Sequence, residues 1–416
     1  MFAAFMAGVT DYYAVPIALF LGASLQQVGL VVSLPNLLSS LSQFSSVKVI
    51  YWVGGRIKLL LRLVVSQASL ILCVAVLPLL EIRHRVELLL IFLILAAVCG
   101  GLAGPAWGSL MSDYVPASKR GRYFGWRNRM VGGVTVCSVI ASGLLLNYFQ
   151  QISYGTGFLI IFSLAAASRY VSGYFISRMN EPPHRKDPAS DFTFFMFLRR
   201  FRESNFLKFV VFSGCFTFGT YISAPFFAVF MLRDLRLSYL TYMLLQVCSS
   251  VAGLIAQPLW GTHGDLVGNV RVLRLSAFLA ALVPLFWLFS QNPVYLMLVQ
   301  IYAGFSWSGL TLSTANFIYD AVTPQKRVRC IAYFNVINGV ALFLGSSVGG
   351  YLALRLPPLQ GYPLLGIFEL SCACRIGIYL LLSRSFREVR PAHEVSIREL
   401  FFSVVGIRPL VGPARD

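Results

Sequence analysis

Asp113-Tyr114-Val115-Pro116-Ala117-Ser118-Lys119-Arg120-Gly121-Arg122 is written a second time, 207 residues on, as Asp320-Ala321-Val322-Thr323-Pro324-Gln325-Lys326-Arg327-Val328-Arg329. The same register carries Asn128 and Gly132 onto Asn335 and Gly339. Earlier in each copy, Ser24, Gln43 and Gly54 match Ser238, Gln257 and Gly268 at a spacing of 214, and later Arg169 and Arg178 match Arg375 and Arg384 at 206. Similarity sustained in order at nearly equal spacings over so many positions marks a duplicated module rather than a chance motif.

What the module is made of follows from composition. Of 416 residues 57% are hydrophobic and 12% charged, against about 45–50% and 25% in soluble domains, and the mean hydropathy is +0.73. A bilayer crossing needs about 20 mostly apolar residues. Cutting at clusters of charge, Pro, Gly and Asn leaves apolar segments at about 1–22, 25–46, 59–80, 88–112, 124–149 and 156–178, then 205–231, 239–262, 272–290, 294–319, 329–354 and 362–383. Backbone polar groups must be satisfied internally in lipid, so these read as helices. Uninterrupted runs such as Leu88–Val98 contradict the alternating ten-residue pattern of a β-barrel. The expectation is an all-α membrane protein with twelve transmembrane helices, two six-helix bundles around a central cavity. Six spans return the chain to its starting side, so the two copies are parallel, related by an axis along the membrane normal. The expected divisions are a bundle over 1–178, a linker over 179–204, a bundle over 205–383 and a tail over 384–416.

The net charge of +18 would suggest nucleic acid in a soluble protein. Here the cations sort by loop. One set holds Lys48, Arg56, Lys58 and Arg62, then Lys119, Arg120, Arg122, Arg127 and Arg129, then the 179–204 insert, Arg271 and Arg274, and Lys326, Arg327 and Arg329; the other holds little beyond Arg83, Arg85, Arg233, Arg236 and Arg355. The positive-inside rule makes the first set cytoplasmic, with both termini inside an inner or plasma membrane, and basic loops attract anionic lipid. No nucleic-acid partner is expected, and a monomer is. Phe192–Leu198 beside Arg199, Arg200 and Arg202 fits a surface-lying helix or a plain linker. Met1 opens in apolar sequence without a basic stretch and with Asp11 inside the run, so this segment is expected to be a span rather than a cleaved leader. The eight cysteines lie in or beside apolar stretches and read as small hydrophobes.

With these features the sequence resembles the major facilitator superfamily of secondary transporters over essentially its full length. Gly261-Thr262-His263-Gly264-Asp265-Leu266-Val267-Gly268-Asn269-Val270-Arg271 is similar to that superfamily's loop between the second and third helices of a half. The first-half counterpart keeps Gly54, Arg56 and Lys58 but has Val47 and Tyr51 where Gly and Asp stand in the pattern, so that half has lost the carboxylate. The two Asp113 and Asp320 loops resemble those between fourth and fifth helices. The resemblance implies a cytoplasmic gate of ion pairs over Asp113, Arg120, Arg122, Asp265, Arg271, Asp320, Arg327 and Arg329. Asp265, preceding the third helix of its half, is expected to cap it and to pair with Arg327 or Arg329, while Asp113 and Asp320 pair with the loop arginines.

Charged residues deep in a span cost about 2.5–3.5 kcal/mol on insertion scales and so invite a functional explanation. Asp11, Arg169, Glu369 and Arg375 qualify. Asp11, midway along the first span, suits proton coupling; a static ion pair or a hydrogen-bonded structural carboxylate is the alternative. Arg169 and Arg375 fit a structural role. The residues expected to contact substrate are Tyr12, Trp107, Tyr221, Gln246, Trp307, Asn335 and Asn338, with packing the competing reading for each aromatic. A Gly-Pro pair is missing from the fifth helix, which argues against the best-known drug/proton antiporter type.

No Gly-Lys dipeptide is present and hence no P-loop, and the four histidines fall in separate loops and the tail, so neither a cofactor nor a metal is expected. Nor is there the convergent nucleophile and base of an enzyme. The reading is secondary active transport of a small solute by alternating access, with protons the expected coupling ion. Its alternatives are a uniporter and a non-transporting sensor or accessory subunit on the same fold.

Overall fold

Ser24 and Ser238 show why the repeat is visible in sequence. Each starts a helix: Ser24 Oγ accepts the Gln27 N–H at 3.2 Å while Gln27 Oε1 accepts the Ser24 N–H at 2.9 Å, and Ser238 Oγ accepts the Thr241 N–H at 3.1 Å. A hydroxyl at this position satisfies an N–H that has no carbonyl partner in the first turn.

The computed structural model describes residues 1–115, 119–181, 204–391 and 397–404. In the first half these form α1 (Phe2–Phe20), α2 (Leu25–Ser42), the short α3 (Ser46–Val53), α4 (Arg56–Val76), α5 (Arg85–Tyr114), α6 (Arg120–Phe149) and α7 (Tyr154–Ser177). The second half holds α8 (Asn205–Tyr221), α9 (Ala224–Val229), α10 (Tyr239–Val267), α11 (Asn269–Phe286), α12 (Pro293–Ala321), α13 (Pro324–Leu352), α14 (Leu365–Leu382) and a last short helix, α15 (Ile397–Val404). All twelve expected spans are helical, and the described residues contain no strand beyond an isolated bridge between Leu359 and Tyr362. Ten of the spans are long and apolar enough to cross a membrane. The other two are α2, diluted by Gln26, Gln27, Ser33, Asn36, Ser39 and Ser40, and α12, diluted by Gln300, Ser306, Ser308, Thr311, Ser313 and Asn316.

The seventh span departs from a single rod. Ile222 and Ser223 interrupt it, Pro225 stands in the first turn of α9 where its missing N–H costs nothing, and Phe230–Asp234 continues as a π-turn in which Leu235 N–H reaches the Phe230 carbonyl at 2.8 Å.

Packing divides the chain into two compact units. The first comprises Met1–Pro188, Tyr221–Val247 and Gly339–Leu364. In it α4 packs on α5 and α7, α2 on α5, and α1 on α6 and α7. Small residues let helices close up: a side chain at Gly29 would meet the Ser346 carbonyl at 3.0 Å, and one at Gly349 would collide with the Ile222 carbonyl. The second unit comprises Ala189–Thr220, Cys248–Asn338 and Leu365–Asp416. Its core is aromatic: Phe209 stacks on Phe334 at 5.8 Å, lies 4.6 Å from Phe317, and meets Phe386 edge-on at 5.7 Å. Large apolar side chains such as Ile255, Leu298, Leu380 and Leu381 point outward, a surface suited to lipid rather than water.

Part of the tail is built into the second unit. Leu400 and Val404 of α15 are buried against Trp260, Val267 and Val272, and His263 and Ser403 hydrogen-bond at 2.9 Å. The linker sequence from 182 to 203, with its Phe192–Leu198 run, lies outside the described residues.

Candidate translocation site and basic-end gate

Asp11 stands nine residues into α1, about 13 Å along the helix at 1.5 Å per residue. Its side chain is exposed. The neighbouring Thr10 hydroxyl donates to the Met6 carbonyl at 3.1 Å. Asp11 makes no ion pair among the described residues.

Three of the expected substrate residues, Tyr12, Tyr221 and Gln246, belong to the same unit as Asp11. Tyr221 is within electrostatic range of Asp11. Tyr12 and Gln246 both reach Tyr242, and the Tyr242 hydroxyl donates to the Tyr12 carbonyl at 2.7 Å. Behind them Tyr13, fully buried, donates to the Val139 carbonyl at 2.8 Å and meets the Tyr242 ring edge-on at 6.1 Å. Tyr13 and Tyr242 were not expected as site residues. The available clue was spacing: Tyr242 and Gln246 are one helical turn apart on α10.

Away from the basic loops the first unit is tightly sealed. Tyr239 packs edge-on against Tyr154 at 5.0 Å and Phe158 at 5.7 Å, and Gly143 is covered by Met243 so closely that it admits no side chain.

Trp107 packs on the Ile57, Leu60 and Ala103 cluster. In the second unit Trp307 lies edge-on to Phe216 at 6.4 Å. Asn338 ties α13 to α8: its Oδ1 accepts from Ser213 at 3.1 Å and Thr217 at 2.7 Å, and its Nδ2 donates to the Phe334 carbonyl at 2.9 Å. Asn335, a turn earlier, is half-buried.

At the basic end the carboxylates find partners other than those expected. Asp113 accepts from Arg56 at 2.6 Å; the side chains of Arg120 and Arg122, expected beside it, lie outside the described residues. Arg56 is almost wholly buried, also donates to Ser109 Oγ at 2.9 Å and lies 3.5 Å from Glu181. Glu181 in turn accepts the Arg56 backbone N–H at 2.7 Å, capping α4. In the second half Asp320 pairs with Arg390 of the tail and accepts from Asn269 Nδ2 at 2.7 Å. The expected cap by Asp265 is not formed: Asp265 is exposed on the last turn of α10, and Glu388 accepts the Val270 N–H at 2.7 Å instead. The expected Asp265–Arg327 pair is also absent. Arg327 bonds the Tyr319 carbonyl at 3.1 Å and lies over the Tyr319 ring, and Arg271 bonds the Val267 carbonyl at 3.1 Å. Glu181, Glu388 and Arg390 were missed, although Glu181 and Glu388 stand at the same spacing of 207 as Asp113 and Asp320.

Arg169 and Arg375 are structural. Arg169 Nε donates to Gln67 at 2.8 Å, while Arg375 spends its guanidinium on Ser371 and on the Ala280 and Thr220 carbonyls, each at 3.1 Å. Glu369 falls on the exposed face of the first turns of α14 rather than deep in the span.

A fold of twelve helical spans in two related halves, with a carboxylate midway along the first span and paired charges at the basic end, is that of a membrane carrier. The family model of the Major Facilitator Superfamily matches residues 1–219 and again 209–412, and the chain belongs to this superfamily of solute transporters. A stretch of 129 residues is 21% identical to the uncharacterized transporter BU588 of Buchnera aphidicola subsp. Acyrthosiphon pisum (strain APS), covering 31% of this chain and 32% of that one. The chain thus spans about a third of the length of that curated relative in the match. Among solved structures, the fold is similar to a D-xylose-proton symporter (TM-score 0.73, 12% identity, 94% of this chain and 95% of that one). It is also similar to the nucleoside transporter NupG (0.69, 12%, 92% and 96%) and to a bacterial homologue of the iron transporter ferroportin in an inward-facing state (0.67, 15%, 92% and 96%).

Proposed function

We propose that this chain moves a small solute across the cytoplasmic membrane by alternating access, coupled to protons through Asp11, with both termini and the basic loops in the cytoplasm. The observation that carries this reading is the exposed Asp11 carboxylate halfway along α1, which makes no ion pair among the described residues. An ionised carboxyl there is costly to carry through lipid, so protonation lowers the barrier to reorienting the site. Tyr12, Tyr221 and Gln246 supply ring faces and hydrogen-bonding groups for a solute beside it, and Trp107, Trp307, Asn335 and Asn338 complete the substrate set by the sequence reading. The Tyr239 and Gly143–Met243 contacts close one end of the path; the basic-end charges around Arg56 and Asp320 make and break as the two sequence halves, 1–178 and 205–383, rock. No cofactor takes part in this scheme, and a monomer suffices for it.

The test is proton movement in proteoliposomes loaded with the pH dye pyranine, under an imposed pH gradient, challenged with a panel of sugars, amino acids, peptides and amphipathic drugs. At least one solute should discharge the gradient through the wild-type protein and not through Asp11→Asn. A folded, reconstituted protein that moves neither solute nor protons with any member of the panel overturns the reading in favour of a sensor.

A further inference from the structure

We infer that a cavity at the end of the first unit away from the basic loops binds a small zwitterion of the amino-acid type, its carboxylate on Arg85 and its ammonium on Glu87. This is a second site, apart from Asp11, and it does not depend on proton coupling.

The cavity measures about 790 Å³ and opens between the α1–α2 turn, the first turn of α2 and the loop that leads into α5. That volume lies within the range of small-molecule sites. Leu21 and Val86, both buried, give it an apolar side, and Glu81, Arg83, Arg85 and Glu87 line it with two charges of each sign. Among the described residues no ion pair joins any of these four to another. For Arg85 and Glu87 the register explains this, because residues two apart on a helix do not face each other.

These two charges are held in place by other contacts. Arg85 Nε donates to the Leu21 carbonyl at 3.0 Å, which ties the start of α5 to the α1–α2 turn. Its two terminal nitrogens make no hydrogen bond among the described residues. Glu87 Oε1 accepts from Gln27 Nε2 at 3.2 Å, and Gln27 is itself fixed, since its Oε1 accepts the Ser24 N–H at 2.9 Å. The second oxygen, Glu87 Oε2, has His84 Nδ1 at 3.9 Å, beyond hydrogen-bond reach. The cavity thus presents one anchored guanidinium and one anchored carboxylate, each with hydrogen-bonding capacity to spare. A carboxylic acid would meet Arg85 together with the repulsion of Glu81 and Glu87, and an amine would meet the reverse from Arg83 and Arg85. A molecule with both charges satisfies both through charge-assisted hydrogen bonds. The apolar side suits an aliphatic side chain on that molecule.

The test is binding of leucine to purified full-length protein in detergent, measured by titration calorimetry. Beside it stand two analogues with one charge each: isopentylamine, which lacks the carboxylate, and 4-methylpentanoate, which lacks the amine. Leucine should saturate one site, and each analogue should bind at least about tenfold more weakly. Arg85→Gln and Glu87→Gln should each weaken leucine by about fivefold or more, whereas Arg355→Gln, which removes a cation of the same unit outside the cavity, should not. Absence of leucine binding, an analogue that binds as tightly as leucine, or an effect missing from either cavity variant overturns the inference. Should either variant fail to fold, Arg83→Gln or Glu81→Gln takes its place, since neither of those side chains bonds a described residue. Each should weaken leucine by about threefold or more, and an unchanged affinity overturns the inference in the same way.

Discussion

Arg56 and Asp113 form a 2.6 Å ion pair in which the cation is 1% exposed and the carboxylate 38%. Arg56 cannot rehydrate when the pair is broken, whereas Asp113 can, so the two single substitutions are not equivalent. Asp113→Asn leaves Arg56 with Glu181 and Ser109 and should cost about 1–2 kcal/mol, since the lost partner is partly solvated. Removing Glu181 as well strands the buried guanidinium, and the double variant Asp113→Asn, Glu181→Gln should lose more than the sum of its parts. Melting temperatures of the four proteins of this cycle in detergent check it; strict additivity would show that the two carboxylates do not share Arg56.

Gly54 and Gly268 match across the repeat because the backbone demands it: their φ angles are +81° and +89°. Their surroundings differ. A methyl group at Gly54 meets nothing within 4 Å, while at Gly268 it runs into the Glu388 carboxylate that caps α11. Gly54→Ala should therefore cost about 1–2 kcal/mol, the left-handed strain alone. Gly268→Ala adds the loss of a cap, about another 1 kcal/mol. The cap component should vanish when Gly268→Ala is made on a Glu388→Ala background. Equal melting temperatures for the two glycine variants would count against it.

Arg375 has three acceptors and Arg169 one side-chain acceptor among the bonds described above. The planar fork of Arg375 reaches carbonyls on α8 and α11 at once, which the single point charge of a lysine does not reproduce. Arg375→Lys should lower stability by roughly 3 kcal/mol, and Arg169→Lys by roughly 1 kcal/mol. Thermal denaturation compares them directly; equal losses would mean that the extra carbonyl contacts of Arg375 contribute nothing.

Much of this architecture was legible because it is set by local chemistry. Apolar length marks the helices, and the matches Ser24/Ser238 and Gly54/Gly268 mark the repeat; that the serines cap helices and the glycines take positive φ is seen in the structure. The pairing of charges was less legible. Asp265 lies in a recognisable loop pattern, but the cap of α11 comes from Glu388, which is more than a hundred residues away in sequence and arrives only because the tail folds back. Arg390 likewise reaches Asp320 across 70 residues, and Glu181 reaches Arg56 across 125. The candidate site shows the same division: Asp11, Tyr12, Tyr221 and Gln246 stand out as polar or aromatic residues in spans, whereas Tyr13 becomes visible through its bond to the Val139 carbonyl and Tyr242 is marked in sequence only by its one-turn spacing from Gln246.

The duplicated loops predict a topology that labelling can read. Ser118→Cys and Gln325→Cys, each in a background with the eight native cysteines replaced, should react with a membrane-impermeant maleimide from the same side of the bilayer. Parallel repeats of six spans require this. Reaction from opposite sides would remove the parallel-repeat arrangement and with it the rocking of two equivalent halves.

Asp11 gives the most direct test of coupling, because substitution separates two steps that share one carboxyl. Accumulating a solute against its gradient needs a group that binds a proton on one face and releases it on the other; exchanging labelled for unlabelled solute needs only the solute-loaded site to reorient. Asparagine preserves the shape of the side chain and cannot take the proton. Asp11→Asn should therefore lose proton-driven accumulation by at least about tenfold, equivalent to roughly 1.4 kcal/mol of coupling. Solutes whose binding does not depend on the Asp11 charge should keep their exchange rate in the variant. For these, exchange in the wild-type protein should fall on the alkaline side as the carboxyl loses its proton, because the ionised site reorients poorly, while in Asp11→Asn it should be flat with pH. Accumulation and exchange measured side by side in proteoliposomes across pH decide the matter: an Asp11→Asn protein that still concentrates solute at the wild-type rate assigns proton coupling to another group.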